Sequence, residues 1–369
     1  MKAVILLPTY NERENITTLL DELDRITADI KGYEFSFLVV DDNSPDGTQD
    51  IVRAYQKTHK HVHLLVGKKE GLGKALLRGM EYAVEKMGAV YVGQMDADLS
   101  HDPKKLPAFF RAIDDGYDFV VGSRYIKGGG IPKNWGLHRK IFSIVGNSVV
   151  RFGLGFPRLH DWTGGFRVYH KRYYEELAAQ VKKYSGYVFQ IAFLHKSVLL
   201  GANVFEVPFH FTDRRYGRSK IAPLQYIRNV LVYVLRARTK QAVYGSFGKF
   251  AVVGTLGFII NTIVLETVVR SGEHPALGSA LGAECAIISN FIFNNAWTFK
   301  GRRVSGIQLI PKFLQFNLAS VGAILIQAGT VWAGTQLVGV AFYRWFYILG
   351  VGFGLLWNYT MYSRVIWKK

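Results

Sequence analysis

The last third of the chain constrains the fold most, because four apolar stretches follow one another there, at roughly 247–269, 276–299, 313–338 and 345–366. Each reaches the ~20 residues that a helix needs to cross a hydrocarbon core. Basic clusters punctuate them. Arg236, Arg238, Lys240 and Lys249 precede the first stretch, Lys300, Arg302, Arg303 and Lys312 lie between the second and third, and Arg364, Lys368 and Lys369 follow the fourth. The other two loops hold only Arg270 and Arg344 as basic residues. Basic loops stay on the cytoplasmic side, so both termini and everything ahead of the spans are expected in the cytosol. The chain reads as an integral membrane protein with four spans, expected in a prokaryotic cell membrane.

The first 240 residues differ in kind: 36 Lys/Arg and 25 Asp/Glu, against 10 and 3 in the remainder. The net charge of +18 calls for an anionic partner. Because the basic residues crowd the membrane boundaries, membrane lipid is the expected partner and nucleic acid is not. No obligate protein partner is expected. The single cysteine, Cys285, excludes a disulfide framework and a Cys-based zinc site.

In this front part, apolar runs at 3–7, 35–40, 62–66, 90–95 and 119–121 alternate with helical patterns at 15–26, 48–55, 73–87 and 103–113. The first run is too short for a signal peptide and reads as a buried strand. Such alternation predicts an α/β domain with a mostly parallel, Rossmann-like sheet over 1–220. From 221 to 244, Leu224, Ile227, Val230, Leu231 and Val234 recur at helical spacing among basic residues. That pattern predicts an amphipathic interfacial helix and linker. An all-α transmembrane domain of four helices is expected over 245–369.

Ligands of parallel sheets sit beyond the carboxyl ends of the strands. There, Asp96-Ala97-Asp98 follows the fourth apolar run. Two carboxylates two residues apart suit a hard cation, Mg²⁺ or Mn²⁺, that also takes diphosphate oxygens. A helix-capping turn leading into Asp102-Pro103 is the plainer reading. Two more strand ends are polar: Pro8-Thr9-Tyr10-Asn11-Glu12 and Asp41-Asp42-Asn43-Ser44. Pro8 is expected to break its strand and expose Tyr10 and Glu12. Tyr10 is placed to stack on a base, and Asp41 to accept hydrogen bonds from base or ribose.

These segments, with Gly-Ser-Arg-Tyr (122–125), Asp-Trp-Thr-Gly-Gly-Phe-Arg (161–167) and Tyr-Gly-Arg-Ser-Lys (216–220), resemble the family 2 glycosyltransferases of GT-A fold. Among these they are most similar to the dolichyl-phosphate mannose synthases and related polyprenyl-phosphate glycosyltransferases. The tail resembles GtrA-like four-helix membrane domains, chiefly through Ser-Asn-Phe-Ile-Phe-Asn-Asn-Ala-Trp-Thr-Phe (289–299). The resemblance implies a nucleotide sugar, GDP-mannose, bound by Pro8, Tyr10, Glu12, Asp41, Asp96, Asp98 and Arg124. It implies a divalent metal held by Asp96 and Asp98. Ser100 stands where some relatives have Gln, and its shorter reach implies a bridging water.

The implied acceptor is a polyprenyl (dolichyl) phosphate, already an anion and in need of no general base. It needs cationic donors that hold it in line with the anomeric carbon. Arg124, Arg139, Arg214 and Lys220 are the candidates, with Ser143 as a neutral donor, and Arg124 and Asp98 are expected at the reacting centre. Gly217 would hinge a lid carrying Lys220. Asp161 and Arg167 form an alternative pair under the acceptor. A UDP-sugar donor and a translocase of lipid-linked sugar remain the rival readings. Asn290, Asn294, Asn295 and Asn358 are expected to hydrogen-bond between membrane helices.

Overall fold

The computed structural model describes residues 1–213 and 223–368, so Arg214, Gly217 and Lys220 lie outside the described residues. Two compact units result, Met1–Ala237 and Arg238–Lys369.

The first unit runs β1 (Lys2–Thr9), α1 (Ile16–Thr27), β2 (Glu34–Asp41), α2 (Thr48–Tyr55), β3 (Val62–Val66), α3 (Leu72–Glu81), β4 (Tyr91–Gln94), α4 (Leu106–Asp114) and β5 (Phe119–Ser123). It continues with α5 (Leu137–Leu154), β6 (Arg167–His170), α6 (Arg172–Val181), α7 (Gly186–Leu199), β7 (Val204–Pro208) and α8 (Pro223–Tyr244), whose residues from Arg238 on belong to the second unit. The seven strands form one sheet in the order β3-β2-β1-β4-β6-β5-β7. Every pairing is parallel except those of β6, which runs antiparallel to both neighbours. Both faces are covered, which is why the inner strands read as unbroken apolar runs. Leu6, Val40 and Phe119 pack on one side, and Ile5, Phe37 and Phe109 on the other.

Pro8 does not break β1; it stays in register opposite Val40. The β1–β4 ladder ends at the Leu6–Gln94 pair, so the missing Pro8 N–H faces a side where no partner follows. Strands β6 and β7 extend the sheet beyond the five strands read from the sequence.

Helix α8 has both buried and exposed apolar residues. Val230 and Val234 are buried in the core of the first unit together with Tyr233, whereas Leu231 and Leu235 are exposed. Helix α5 leaves Leu137, Ile141, Val145 and Phe152 exposed on its surface.

The second unit contains α9 (Ser246–Arg270), α10 (Pro275–Phe293), α11 (Leu309–Val338) and α12 (Tyr343–Met361). Among the described residues, α9 and the helix from Gly306 to Val338 are long and apolar enough to cross a membrane. Phe250, Phe291, Phe299, Phe316, Tyr362 and Trp367 make its core. Asn295 accepts from the Val304 N–H, in a loop, and from the Trp367 indole, past the last helix, both at 2.8 Å. The buried Oδ1 atoms of Asn290, Asn294 and Asn358 have no partner among the described residues. Glu266 faces Arg270 one turn on, at 3.7 Å.

Candidate active site at the strand ends

The carboxyl ends of β1, β2, β4 and β5 lie along one edge of the sheet and carry the polar residues singled out above. Three non-glycine residues there hold the left-handed conformation: Asn11 (φ 63°) after β1, Asn43 (φ 58°) after β2 and Leu99 (φ 61°) after β4. Asparagine tolerates this conformation, but a leucine in it is strained, and such strain concentrates at functional loops.

Asp41 is fully buried and saturated from within. It accepts from Thr9 Oγ1 (2.8 Å), Ser44 N (2.8 Å), Ser44 Oγ (2.6 Å) and Gln49 Nε2 (2.9 Å). Its carboxylate thus ties the ends of β1 and β2 together. Its neighbour Asp42 instead lines a cleft of about 460 Å³ with Tyr10, Asn43, Val66, Gly67, Lys68 and Lys69. Arg78 Nη2 donates to Asp42 at 2.8 Å. Burial raises the Asp42 carboxyl above its ordinary pKa despite that arginine. The Tyr10 ring forms a wall of this cleft, and Lys69 Nζ sits 3.4 Å from its centroid. Glu12 accepts from Asn15 Nδ2 at 2.8 Å, and its N–H donates to Thr48 Oγ1.

The Asp96–Ser100 loop follows β4. Asp98 is almost wholly buried and accepts from Ser100 N at 3.1 Å. Asp96 is 31% exposed at its side chain. Ser100 Oγ is buried and has no hydrogen-bond partner among the described residues. Two carboxylates and an unsatisfied hydroxyl on one tight loop form an all-oxygen donor set that fits a hard divalent cation. Behind the loop, the Asp96 N–H donates to His101 Nδ1 at 2.9 Å, and His101 Nε2 lies 3.8 Å from the Asp96 carboxylate. Burial pushes the His101 pKa down, so the ring is neutral and its Nδ1 remains an acceptor. Thr212 holds the same loop from outside: its N–H donates to Ser100 O, and its hydroxyl to Leu99 O at 3.0 Å.

Arg124, just past β5, is paired with Asp161. Its Nε and Nη2 meet the two carboxylate oxygens at 2.7 and 2.8 Å, and its own N–H donates at 3.0 Å. Asp161 also accepts from Thr163 N and Gly164 N. Burial alone would raise this carboxyl, but the guanidinium and the N–H donors hold it below the usual carboxylate range. The expected Asp161–Arg167 pair is therefore corrected. Arg167 is fully buried and donates to the Gln190 and Trp162 carbonyls, and burial lowers its pKa to about 10.

Arg139 and Ser143 both lie on α5. Arg139 stacks over Trp135 at 3.8 Å and reaches Asp213 at 3.4 Å. Ser143 Oγ shares a 2.6 Å hydrogen bond with Tyr125 Oη. Asp42, Lys69, Trp135 and Thr212 were not singled out from the sequence. Asp42 stood only as one member of the Asp41–Ser44 cluster, and His101 was given no role.

Residues 4–178 match the family described as glycosyl transferase family 2, and residues 249–367 match the GtrA/DPMS transmembrane domain. The dolichol-phosphate mannosyltransferase of Pyrococcus furiosus is 31% identical over 333 residues, 90% of each chain. The polyprenol monophosphomannose synthase of Mycolicibacterium smegmatis is 36% identical over 224 residues, 60% of this chain and 81% of its own. The glucosyl-3-phosphoglycerate synthase structure from Mycobacterium tuberculosis overlays 64% of this chain and 78% of its own, at 15% identity and a TM-score of 0.46. The chain belongs to glycosyl transferase family 2: it is a hexosyltransferase whose α/β unit precedes a GtrA/DPMS transmembrane domain.

Proposed function

We propose that this chain transfers mannose from GDP-mannose to a polyprenyl (dolichyl) phosphate, giving a β-mannosyl phosphate lipid and GDP. Both curated relatives carry names of that kind. The observation that carries the reading is one sheet edge that holds a nucleotide-sized cleft, a carboxylate-bearing loop and an arginine-bearing loop in succession. The donor would lie across β1, β2 and β4. Tyr10 would stack on the base once Lys69 moves aside. Asp42 would accept from the two adjacent N–H groups on the edge of guanine. Uracil offers a carboxylate only one N–H, flanked by two carbonyls, so this side chain favours GDP over UDP. Pro8, Glu12 and Asp41 would shape the nucleoside end.

Asp96, Asp98 and Ser100 would hold Mg²⁺ or Mn²⁺, with a water bridging the short serine. Such an ion supplies positive charge to the diphosphate leaving group. This chain's own cations serve the acceptor. Arg124, fixed in orientation by Asp161, and Arg139, with Ser143 beside them, would hold the acceptor phosphate; Arg214 and Lys220 complete the proposed set. A lone pair on a phosphate oxygen attacks the anomeric carbon, the bond from that carbon to the GDP oxygen breaks, and GDP leaves with the electron pair. One displacement inverts the centre from α to β. No proton moves, since the nucleophile is already an anion.

The C-terminal unit would anchor the enzyme through four spans, with the catalytic unit and both termini in the cytosol. The apolar face of α5, which carries Arg139 and Ser143 on the same helix, suits an acceptor with an isoprenoid tail.

The test is transfer of label from GDP-mannose, and in parallel from UDP-glucose, into organic-extractable lipid by the purified chain with dolichyl phosphate and Mn²⁺. Chelator-sensitive lipid label from GDP-mannose is expected. Label from UDP-glucose alone would replace the donor. No label from either, with an active control enzyme alongside, would overturn the reading and favour a translocase.

A further inference from the structure

We propose that Trp135 binds the acceptor's phosphate directly through its indole N–H, while its ring orients Arg139 toward the same group. The proposal rests on the acceptor reading above. Trp135 is only 8% exposed, yet its Nε1 has no hydrogen-bond partner among the described residues. Buried indoles ordinarily find an acceptor, and leaving one unpaired costs its desolvation. A retained orphan donor next to a proposed binding site is accounted for if a ligand supplies the acceptor.

The surroundings say which ligand. The Arg139 guanidinium lies over the face of the Trp135 ring, 3.8 Å from its centroid. The other side of Trp135 meets Phe211, with ring centroids 5.7 Å apart. Phe211 in turn lies 5.8 Å from the Arg124 guanidinium. Two aromatic rings thus form a continuous wall with one arginine against each. The backbone keeps the wall in place: Trp135 N donates to Pro132 O, and Phe211 N to Gly130 O. An indole N–H donates and never accepts. Two guanidiniums that also only donate lie beside it, Arg139 meeting the exposed Asp213 carboxylate at 3.4 Å and Arg124 meeting Asp161 at 2.7 Å. A phosphate, rich in acceptor oxygens and anionic, matches one indole N–H and two guanidinium donors.

The test uses the purified full-length chain in detergent with a water-soluble, short-chain polyprenyl phosphate. Trp135→Phe keeps the ring under Arg139 and deletes the N–H. Trp135→Leu removes both. Trp135→Phe is expected to raise the acceptor KM about tenfold or more, the loss of one hydrogen bond to a charged group, with the GDP-mannose KM unchanged. Trp135→Leu is expected to raise it further. A merely structural role would lower thermal stability and kcat without a selective rise in the acceptor KM. An acceptor KM within twofold of wild type in a folded Trp135→Phe protein would overturn the proposal. Should the wild type use no polyprenyl phosphate at all, the acceptor reading fails by itself. Phosphorus-NMR line broadening of inorganic phosphate then decides: broadening lost in Trp135→Phe supports the donor, and equal broadening overturns it.

Discussion

Replacing Asp161 with Asn isolates the contact on which the proposed acceptor side of the site depends. In the wild type its carboxylate is fully buried and takes five donor contacts: three from Arg124 and one each from the Thr163 and Gly164 backbone. The amide keeps the shape but removes the charge and turns an N–H₂ toward donors. Arg124, only 10% exposed at its side chain, loses the carboxylate that it meets at 2.7 and 2.8 Å. Removing one partner of a buried pair costs about 3–5 kcal/mol. For a unit the size of Met1–Ala237, that corresponds to a Tm lower by about 6–20 °C. Calorimetry of the detergent-solubilised protein reads the soluble unit's transition. The acceptor KM should rise as well, because Arg124 loses its orientation. The pH dependence has a definite sign. The folded-state carboxyl lies below its ordinary value, so its stabilisation is complete above about pH 4 and fades only as pH falls through the depressed pKa. Asp161→Asn should flatten that acid limb. A Tm within 2 °C of wild type would refute the ion-pair reasoning.

Two further outcomes follow from the strand ends. Asp42→Asn is expected to raise the GDP-mannose KM about tenfold, by the value of one charge-assisted hydrogen bond, with little effect on the acceptor KM. In the wild type that KM should climb as pH falls toward a pKa above the ordinary 3.8, and the climb should vanish in the variant; a flat wild-type profile would count against Asp42 as base reader. Ser100→Ala removes a buried hydroxyl that has no partner among the described residues, so metal-free thermal stability should hold or rise while the Mn²⁺ concentration for half-maximal activity increases severalfold. An unchanged Mn²⁺ requirement would remove Ser100 from the metal site.

The first five strands were legible because each is an apolar run bounded by polar turns. Strand β6 was not, since it is four residues long and starts with Arg167, whose buried guanidinium is satisfied by carbonyls of Gln190 and Trp162. Strand β7 carries Glu206 and Pro208, which look like loop residues until Glu206 is seen accepting from the His160 and Asp161 N–H groups. In the candidate site, the position of Asp96, Asp98 and Arg124 just past strand ends was legible. The division of labour between Asp41 and Asp42 was not. Adjacent residues at a strand end face opposite ways, and only the placement of Thr9, Ser44 and Gln49 shows which one is enclosed. His101, Trp135 and Thr212 depend on contacts between distant segments, such as Thr212 with Leu99, which no spacing in the sequence reveals.

The central claim is that donor and lipid phosphate meet in one cleft and react in a single displacement. The anomeric configuration of the purified lipid product, read from its one-bond carbon–hydrogen coupling by NMR, tests this directly. Starting from an α-linked donor, a single displacement gives a β-mannosyl phosphate. An α-linked product would require two displacements, with a covalent or separately bound intermediate, and would contradict it.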